Sequence, residues 1–358
     1  METSLNAIVS QILTAAAKRR ASNIHLIVGA YPTLRIDDEL VELKEEPIIT
    51  ESFMKKFVDV VLSEPQKEEL AEAKEISFIK DFAERFRFKV SIFYQKQFLS
   101  ASLKMVSTQI PLLVNLGLPK VAYSLTDKRS GLIIIAGPYG SGRTTTAAAM
   151  IEEINKSRKE NIVTIEKPIE YLFVNNKSLI EQREVGRDVN SFLQAVQYLK
   201  DADIDVMAIS INDEPGVIQE VLEFANSGRL AILQMDTTST IQTIEEIISS
   251  FKSEEKDRAR LLLSDSLRAI ICQRLVPRIG GGLALATEIL ISNDAISSLI
   301  REARVKQIIT ILQSSREEGM LTLDQSLADL VKSGEVLIDK AVEYADDPRT
   351  LRSMAKSS

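Results

Sequence analysis

The 358 residues predict an α/β protein in two parts, a parallel-sheet domain preceded by a smaller α+β domain. Three observations predict it. Beyond residue 122, apolar strand-like runs alternate with helical stretches, the pattern of parallel βαβ units. Gly137-Pro138-Tyr139-Gly140-Ser141-Gly142-Arg143-Thr144 lies between one such strand and one such helix, with the spacing of a phosphate-binding loop. Before residue 107, short strands alternate apolar and polar residues, which suits an antiparallel sheet with two unlike faces.

In chain order, Ile8–Arg20 reads as an amphipathic helix, and Ile24–Val28, Thr33–Ile36 and Leu40–Leu43 as strands broken by Gly29-Ala30 and Asp37-Asp38. Glu51–Leu62 and Pro65–Ala73 read as helices. Glu84–Gln95 alternates strictly: Phe86, Phe88, Val90 and Ile92 share one face, Arg85, Arg87 and Lys89 the other. Phe98–Val106 supplies a partner strand and completes an α+β domain over 1–106. Ser107–Pro119 carries two prolines and a glycine, and the linker is assigned to 107–122.

The second domain, 123–358, has candidate strands at Leu132–Ala136, Asn161–Ile165, Ile204–Ile209 and Leu230–Met235. Helices are expected at Thr144–Ser157, Val189–Leu199, Glu214–Asn226 and Thr240–Phe251. From Asp257 onward the pattern is largely helical, interrupted at Gln273–Gly282, where Gly280-Gly281-Gly282 marks a hairpin turn.

In a phosphate loop the backbone amides of Gly137, Pro138, Tyr139, Gly140, Ser141, Gly142, Arg143, Thr144 and Thr145 (Pro138 excepted, having none) and the following helix N-terminus meet the phosphates. The Thr144 hydroxyl would reach magnesium. One residue departs from the usual spacing: Arg143 stands where the pattern has lysine. A guanidinium keeps the charge but is a wide planar fork, so the exchange is not conservative at a crowded phosphate site.

Composition excludes several classes of function. The apolar and charged fractions, 45% and 27%, are those of a globular protein. No apolar run approaches the roughly 18 residues of a membrane span, and Met1-Glu2 is not a basic lead-in, so the cytoplasm is expected. Cys272 is the only cysteine, which excludes an intramolecular disulfide and a cysteine-rich zinc site. A net charge of −7 argues against a nucleic-acid binder. His25, alone in an alternating strand, reads as structural.

Several segments in order are similar to the secretion-type hexameric ATPases, and within them to the twitching-motility retraction ATPases of type IV pili. They are Ala21–Leu26, Arg85–Phe88, Thr164–Glu170, Glu181–Gly186, Leu267–Ala269, Gln273–Arg278 and Gly319–Gln325. The resemblance covers Ala21 to Leu351. Ala295–Glu302 is similar to a motif associated with retraction, and the absence of a cysteine tetrad separates the chain from the extension and type II secretion branches. The resemblance implies a PAS-like N-terminal domain, a RecA-like P-loop core with a helical tail, and a hexameric ring at the cytoplasmic base of a pilus or related machine. It implies ATP with Mg²⁺ as ligand, and as partners PilT-type retraction subunits in a pure or mixed ring and an inner-membrane platform protein. A peripheral place at the inner face of the cytoplasmic membrane follows from that platform. Arg85 and Arg87 match arginines acting on the neighbouring subunit's nucleotide, with Lys104 in the place of a third.

Departures from the family gather at the chemistry. The family glutamate that polarises water falls at Ile211, after Ser210. Glu166 and Glu170 of the acidic box remain, but Lys167 replaces the aspartate between them. Two family histidines fall at Arg229 and Asp236. Glu214, three residues past Ile211, aligns with an acidic residue of the family. The expectation is therefore a weakly nucleotide-binding, weakly or non-hydrolysing family member acting as a structural or regulatory subunit. The alternatives are a slow ATPase using Glu166, Glu170 or Glu214, and a ring scaffold independent of nucleotide.

Overall fold

The computed structural model describes residues 5–19, 21–36, 39–82, 86–106, 109–210 and 214–356. It divides into two compact units: residues 1–109 with 170–172, and residues 110–169 with 173–358.

The first unit contains α1 (Leu5–Lys18), β1 (Asn23–Leu26), β2 (Thr33–Ile36), β3 (Glu39–Glu42), α2 (Glu51–Val61), α3 (Glu64–Ala73), β4 (Glu75–Phe82), β5 (Phe86–Gln95) and β6 (Phe98–Val106). Its strands form one antiparallel sheet in the order β3-β2-β1-β6-β5-β4. Phe88, Val90 and Ile92 are buried on the apolar face, with Ile24, Leu34, Phe57 and Leu103 in the same core. Strand β4 was not expected from the sequence. Its side chains run Ile76, Phe78 inward but then Ile79, Lys80, a break in the alternation that hides the strand from a pattern reading.

The polar face of β5 is not simply solvated. Arg87 lies opposite Asp81 and its Nη1 is 3.4 Å from both carboxylate oxygens. Its Nε is buried with no hydrogen-bond partner among the described residues. Lys89 and Lys104 face each other in register and both reach Glu170, at 3.5 and 3.9 Å.

The second unit opens with α4 (Val121–Ser124), followed by β7 (Gly131–Ala136), α5 (Arg143–Ser157), β8 (Asn161–Glu166), β9 (Leu179–Glu184), α6 (Phe192–Leu199), β10 (Val206–Ser210), α7 (Val217–Asn226), β11 (Leu230–Met235), α8 (Thr240–Ser249), α9 (Lys256–Ser266), β12 (Leu267–Pro277) and β13 (Leu283–Ile291). Five further helices close the chain: α10 (Asp294–Arg301), α11 (Ile308–Ser314), α12 (Leu323–Lys332), α13 (Ile338–Tyr344) and α14 (Pro348–Lys356). The sheet order is β13-β12-β7-β11-β10-β8-β9, parallel throughout except for β12 with β13. Every side chain of β7 and β11 is buried, because helices cover both faces of a central parallel strand. Ile134 and Ile135, neighbours in sequence, accordingly enter two different cores.

Two corrections concern this sheet. The stretch expected to be mainly helical from Asp257 contains the long hairpin of β12 and β13, with Gly280-Gly281-Gly282 between them. β12 begins Leu-Arg-Ala-Ile-Ile-Cys, a nearly continuous apolar run without period, which cannot be told from a buried helix by pattern. Edge strand β9 was also missed, since Leu179–Glu184 is half-exposed and carries three charged residues.

Candidate phosphate-binding site

The site begins where β7 ends. Gly137 has φ +148°, and a Cβ there would lie 2.4 Å from Ser141 Oγ and 2.7 Å from the Gln273 carbonyl oxygen. Only glycine lets the loop pass between its own turn and β12. The Ser141 N–H donates to the Pro138 carbonyl at 3.1 Å, and Gly142, at φ +90°, turns the chain into α5. Thr146 N–H donates to Gly142 O at 3.0 Å, the first helical bond of α5. A helix presents its first-turn amides outward with the positive end of its dipole, and in α5 that end is where the loop delivers Arg143, Thr144 and Thr145. Tyr139 at the loop tip is 71% exposed.

A buried bond ties the helix to the sheet beneath it: Gln273 Nε2, on β12, donates to Thr146 Oγ1 at 2.7 Å. Gln273 lies inside a segment already singled out by resemblance, but its role depends on β12 lying beside β7, which no pattern revealed.

Arg143, the unusual residue of the loop, has a partner. Its Nη1 is 3.6 Å from Asp236 Oδ1, the arginine side chain being 19% exposed and the aspartate 66%. Asp236 directly follows β11, whose Met235 is in register with Ala136 of β7, so it leaves the sheet beside the start of the loop. Two of the five altered family positions thus meet each other.

The other candidate residues are not gathered at the loop. Glu166 ends β8, three strands from β7 in the sheet, about 14 Å at ordinary strand spacing. Its Oε1 accepts from Thr164 Oγ1 at 2.7 Å and from Gln182 Nε2 at 3.4 Å. Lys167 is exposed and forms no ion pair with Glu166 or Glu170 among the described residues. Glu170 belongs to the first unit, held by Lys89 and Lys104. Glu214 spends both carboxylate oxygens on the start of α6, accepting from Phe192 N at 3.1 Å and Leu193 N at 3.2 Å. Ile211 and Arg85 lie outside the described residues.

Arg229 sits far from the loop. It precedes β11, whose Leu230 is in register with Gly131, so the length of a six-residue strand, about 20 Å, separates it from the loop end. Its guanidinium stacks on Phe224 at 4.0 Å and donates to Leu199 O at 2.9 Å, Lys200 O at 3.2 Å and Ser227 Oγ at 2.8 Å. Its charge therefore lies at the opposite end of the strands and does not face a γ-phosphate.

Residues of β12 and β13 also support the loop's side of the sheet, and of these Glu288 had no signal in the sequence. Glu288 on β13 is buried and accepts Thr240 N at 2.6 Å, fixing the start of α8. Burial pushes its carboxyl above the ordinary range. Arg274 Nη2 donates to Thr238 O at 2.8 Å, holding the turn after Asp236. The Gly319–Gln325 segment is a helix start: Thr322 and Gln325 form a reciprocal cap on α12, and Asp324 accepts from Asp346 N and Asp347 N. Ala295–Glu302 is largely α10, capped by Asn293 and burying Ile296 and Ile300.

No described helix is long and apolar enough to cross a membrane. No group of three or more His, Cys, Asp or Glu able to hold a metal occurs among the described residues.

Comparison with known proteins places this arrangement. The family model for type II/IV secretion system proteins matches residues 2–286. A type IV pilus retraction ATPase, PilT of Pseudomonas aeruginosa, is 33% identical over 340 residues, 95% of this chain and 98% of its own. The type IV pilus ATPase PilU of the same organism is 30% identical, over 97% of this chain and 91% of its own. A crystal structure of the pilus retraction motor PilT with bound ADP superposes with a TM-score of 0.83 at 36% identity, covering 96% of this chain and 98% of that one.

Proposed function

This chain belongs to the type II/IV secretion system protein family, and we propose that it is a nucleotide-binding member with little or no hydrolytic activity, serving pilus retraction as a structural or regulatory subunit. The observation that carries the reading is the commitment of Glu214. Glu214, three residues past Ile211, has both its carboxylate oxygens already accepting amides at the start of α6. A positioned general base contributes about 10²–10⁴-fold in rate. Glu166, retained at the end of β8, is held by Thr164 and Gln182 as an acceptor of hydrogen bonds.

Binding is supported by what is preserved. The loop keeps Gly137, Gly140, Gly142, Thr144 and Thr145 in the strand-loop-helix setting that phosphate requires, and a relative of this fold holds ADP. Thr144 is the residue to reach Mg²⁺. Affinity is expected to be weak, because Arg143 lacks the compact shape of lysine. In this reading the chain works in the cytoplasm within a six-membered ring, pure or mixed with retraction ATPase subunits, with Arg85 and Arg87 at the subunit contact and an inner-membrane platform protein as partner.

A second reading, a slow but active motor, draws on the intact Thr144 and the surviving Glu166. Turnover separates the two. Purified protein is expected to release phosphate from ATP no faster than its Thr144→Ala variant. Arg143→Lys alone should change little, while Arg143→Lys with Ile211→Glu has the better prospect of restoring turnover, since catalytic groups that act as a unit fail together. Activity in the unmodified protein that Thr144→Ala abolishes would establish the motor instead.

A further inference from the structure

The ion pair between Arg143 and Asp236 has a consequence for which nucleotide the loop can take. In a phosphate loop the backbone amides cradle the inner phosphates, and the cationic side chain before the serine or threonine reaches the outer ones. Here that side chain is Arg143, and a carboxylate already stands 3.6 Å from it. Asp236 is carried there by the sheet: it follows the last residue of β11, which is in register with the last residue of β7. The turn after it is held by Arg274 through Thr238 O, and by the 2.6 Å contact between Thr237 Oγ1 and Thr243 Oγ1. A carboxylate therefore stands beside the loop cation, the group that reaches the outer phosphates in such a loop.

We infer that Asp236 makes the site selective for nucleoside diphosphate over nucleoside triphosphate, with Arg143 keeping Asp236 on one edge of its guanidinium and taking the terminal phosphate of the diphosphate on another. The inference rests on the nucleotide-binding reading above. A diphosphate ends at the phosphate that the loop amides and Arg143 can share, and a guanidinium can hold a phosphate and a carboxylate on different edges of its fork. A triphosphate adds a further group, carrying its own negative charge, toward Asp236. Two like charges about 4 Å apart repel by about 1 kcal/mol in a fully hydrated site, which is about fivefold in affinity, and by more where water is thinned. Asp236 is two-thirds exposed, so the hydrated figure and a strong dependence on salt apply.

The test is calorimetric titration of the full chain with ADP and with ATP, each with and without Mg²⁺, in low and high salt. The wild-type protein is expected to bind ADP more tightly than ATP. Asp236→Asn, which keeps the side-chain shape, should tighten ATP by about fivefold or more in low salt while moving ADP by less than about twofold. Asp236→Lys should favour ATP further, and the gain should shrink as salt rises. Equal responses of the two nucleotides to Asp236→Asn, or none, overturn the inference while leaving nucleotide binding intact. Loss of ATP binding in Asp236→Asn only when Mg²⁺ is present also overturns it, by making Asp236 a metal ligand. If neither nucleotide binds the wild type or either variant, the nucleotide-binding reading fails and the selectivity with it.

Discussion

Single side chains decide which of the altered positions bear on chemistry. Arg143 and Asp236 lie at the loop and touch each other, whereas Arg229 is bound in at the far end of the strands by one ring and three hydrogen-bond acceptors. Two positions where the resemblance implies a histidine therefore play opposite parts at the two ends of β11. Arg229→Ala should cost about 2 kcal/mol, from the lost stacking and the carbonyls left with fewer donors. It should leave ADP affinity unchanged, because about 20 Å of strand intervenes. Denaturant unfolding together with ADP titration checks both halves. A variant of normal stability with altered nucleotide affinity would place Arg229 in the site after all.

At the scale of elements, the loop is held in place by strands that the sequence hid. Gln273 of β12 fixes α5, and Glu288 of β13 fixes α8. Glu288 also sets a pH dependence. Its carboxyl is raised from an ordinary value near 4.5, chiefly by burial, so the folded state holds its proton to higher pH than the unfolded chain. Its contribution to stability is therefore greatest at low pH and falls as pH rises from about 4.5 through the raised value. Glu288→Gln retains an oxygen for Thr240 N–H and has no charge to bury, so its melting temperature should gain on the wild type progressively over that window. Glu288→Ala leaves the Thr240 amide without its acceptor and should lose about 1–3 kcal/mol at every pH. Parallel melting curves for wild type and Glu288→Gln from pH 4 to 8 would count against a charged Glu288.

For the whole molecule, the described residues build a scaffold of two sheets, helices with buried faces, and the caps of α10 and α12. On the function proposed above, the chain is expected to enter or compete for the assembly of an active relative. Tagged protein should co-purify with a retraction ATPase of the same cell or with its platform protein, and overproduction should reduce twitching several-fold. Charge reversal at Arg85 and Arg87 should weaken that effect. Recovery of neither partner, with twitching unchanged on deletion and overproduction, would remove the proposed role in retraction.

Local rules made part of this legible. Gly137-x-x-x-x-Gly142 between an apolar run and a helix could be read directly, because strand, turn and helix start are set by neighbouring residues. The alternation in β5, the apolar β7 and the largely apolar β11 likewise announce their place in a sheet. Sequence alone also determined that position 211 carries no carboxylate. It did not determine where a charge goes once the strands are ordered. That Asp236 meets Arg143, that Glu214 caps α6, that Glu170 is held by two lysines of the N-terminal sheet and that Arg229 faces away from the loop all follow from which strands lie side by side and in what register. Those pairings join residues tens to more than a hundred positions apart, and they are chosen by how the apolar faces pack, a quantity that belongs to the folded chain and to no segment of it.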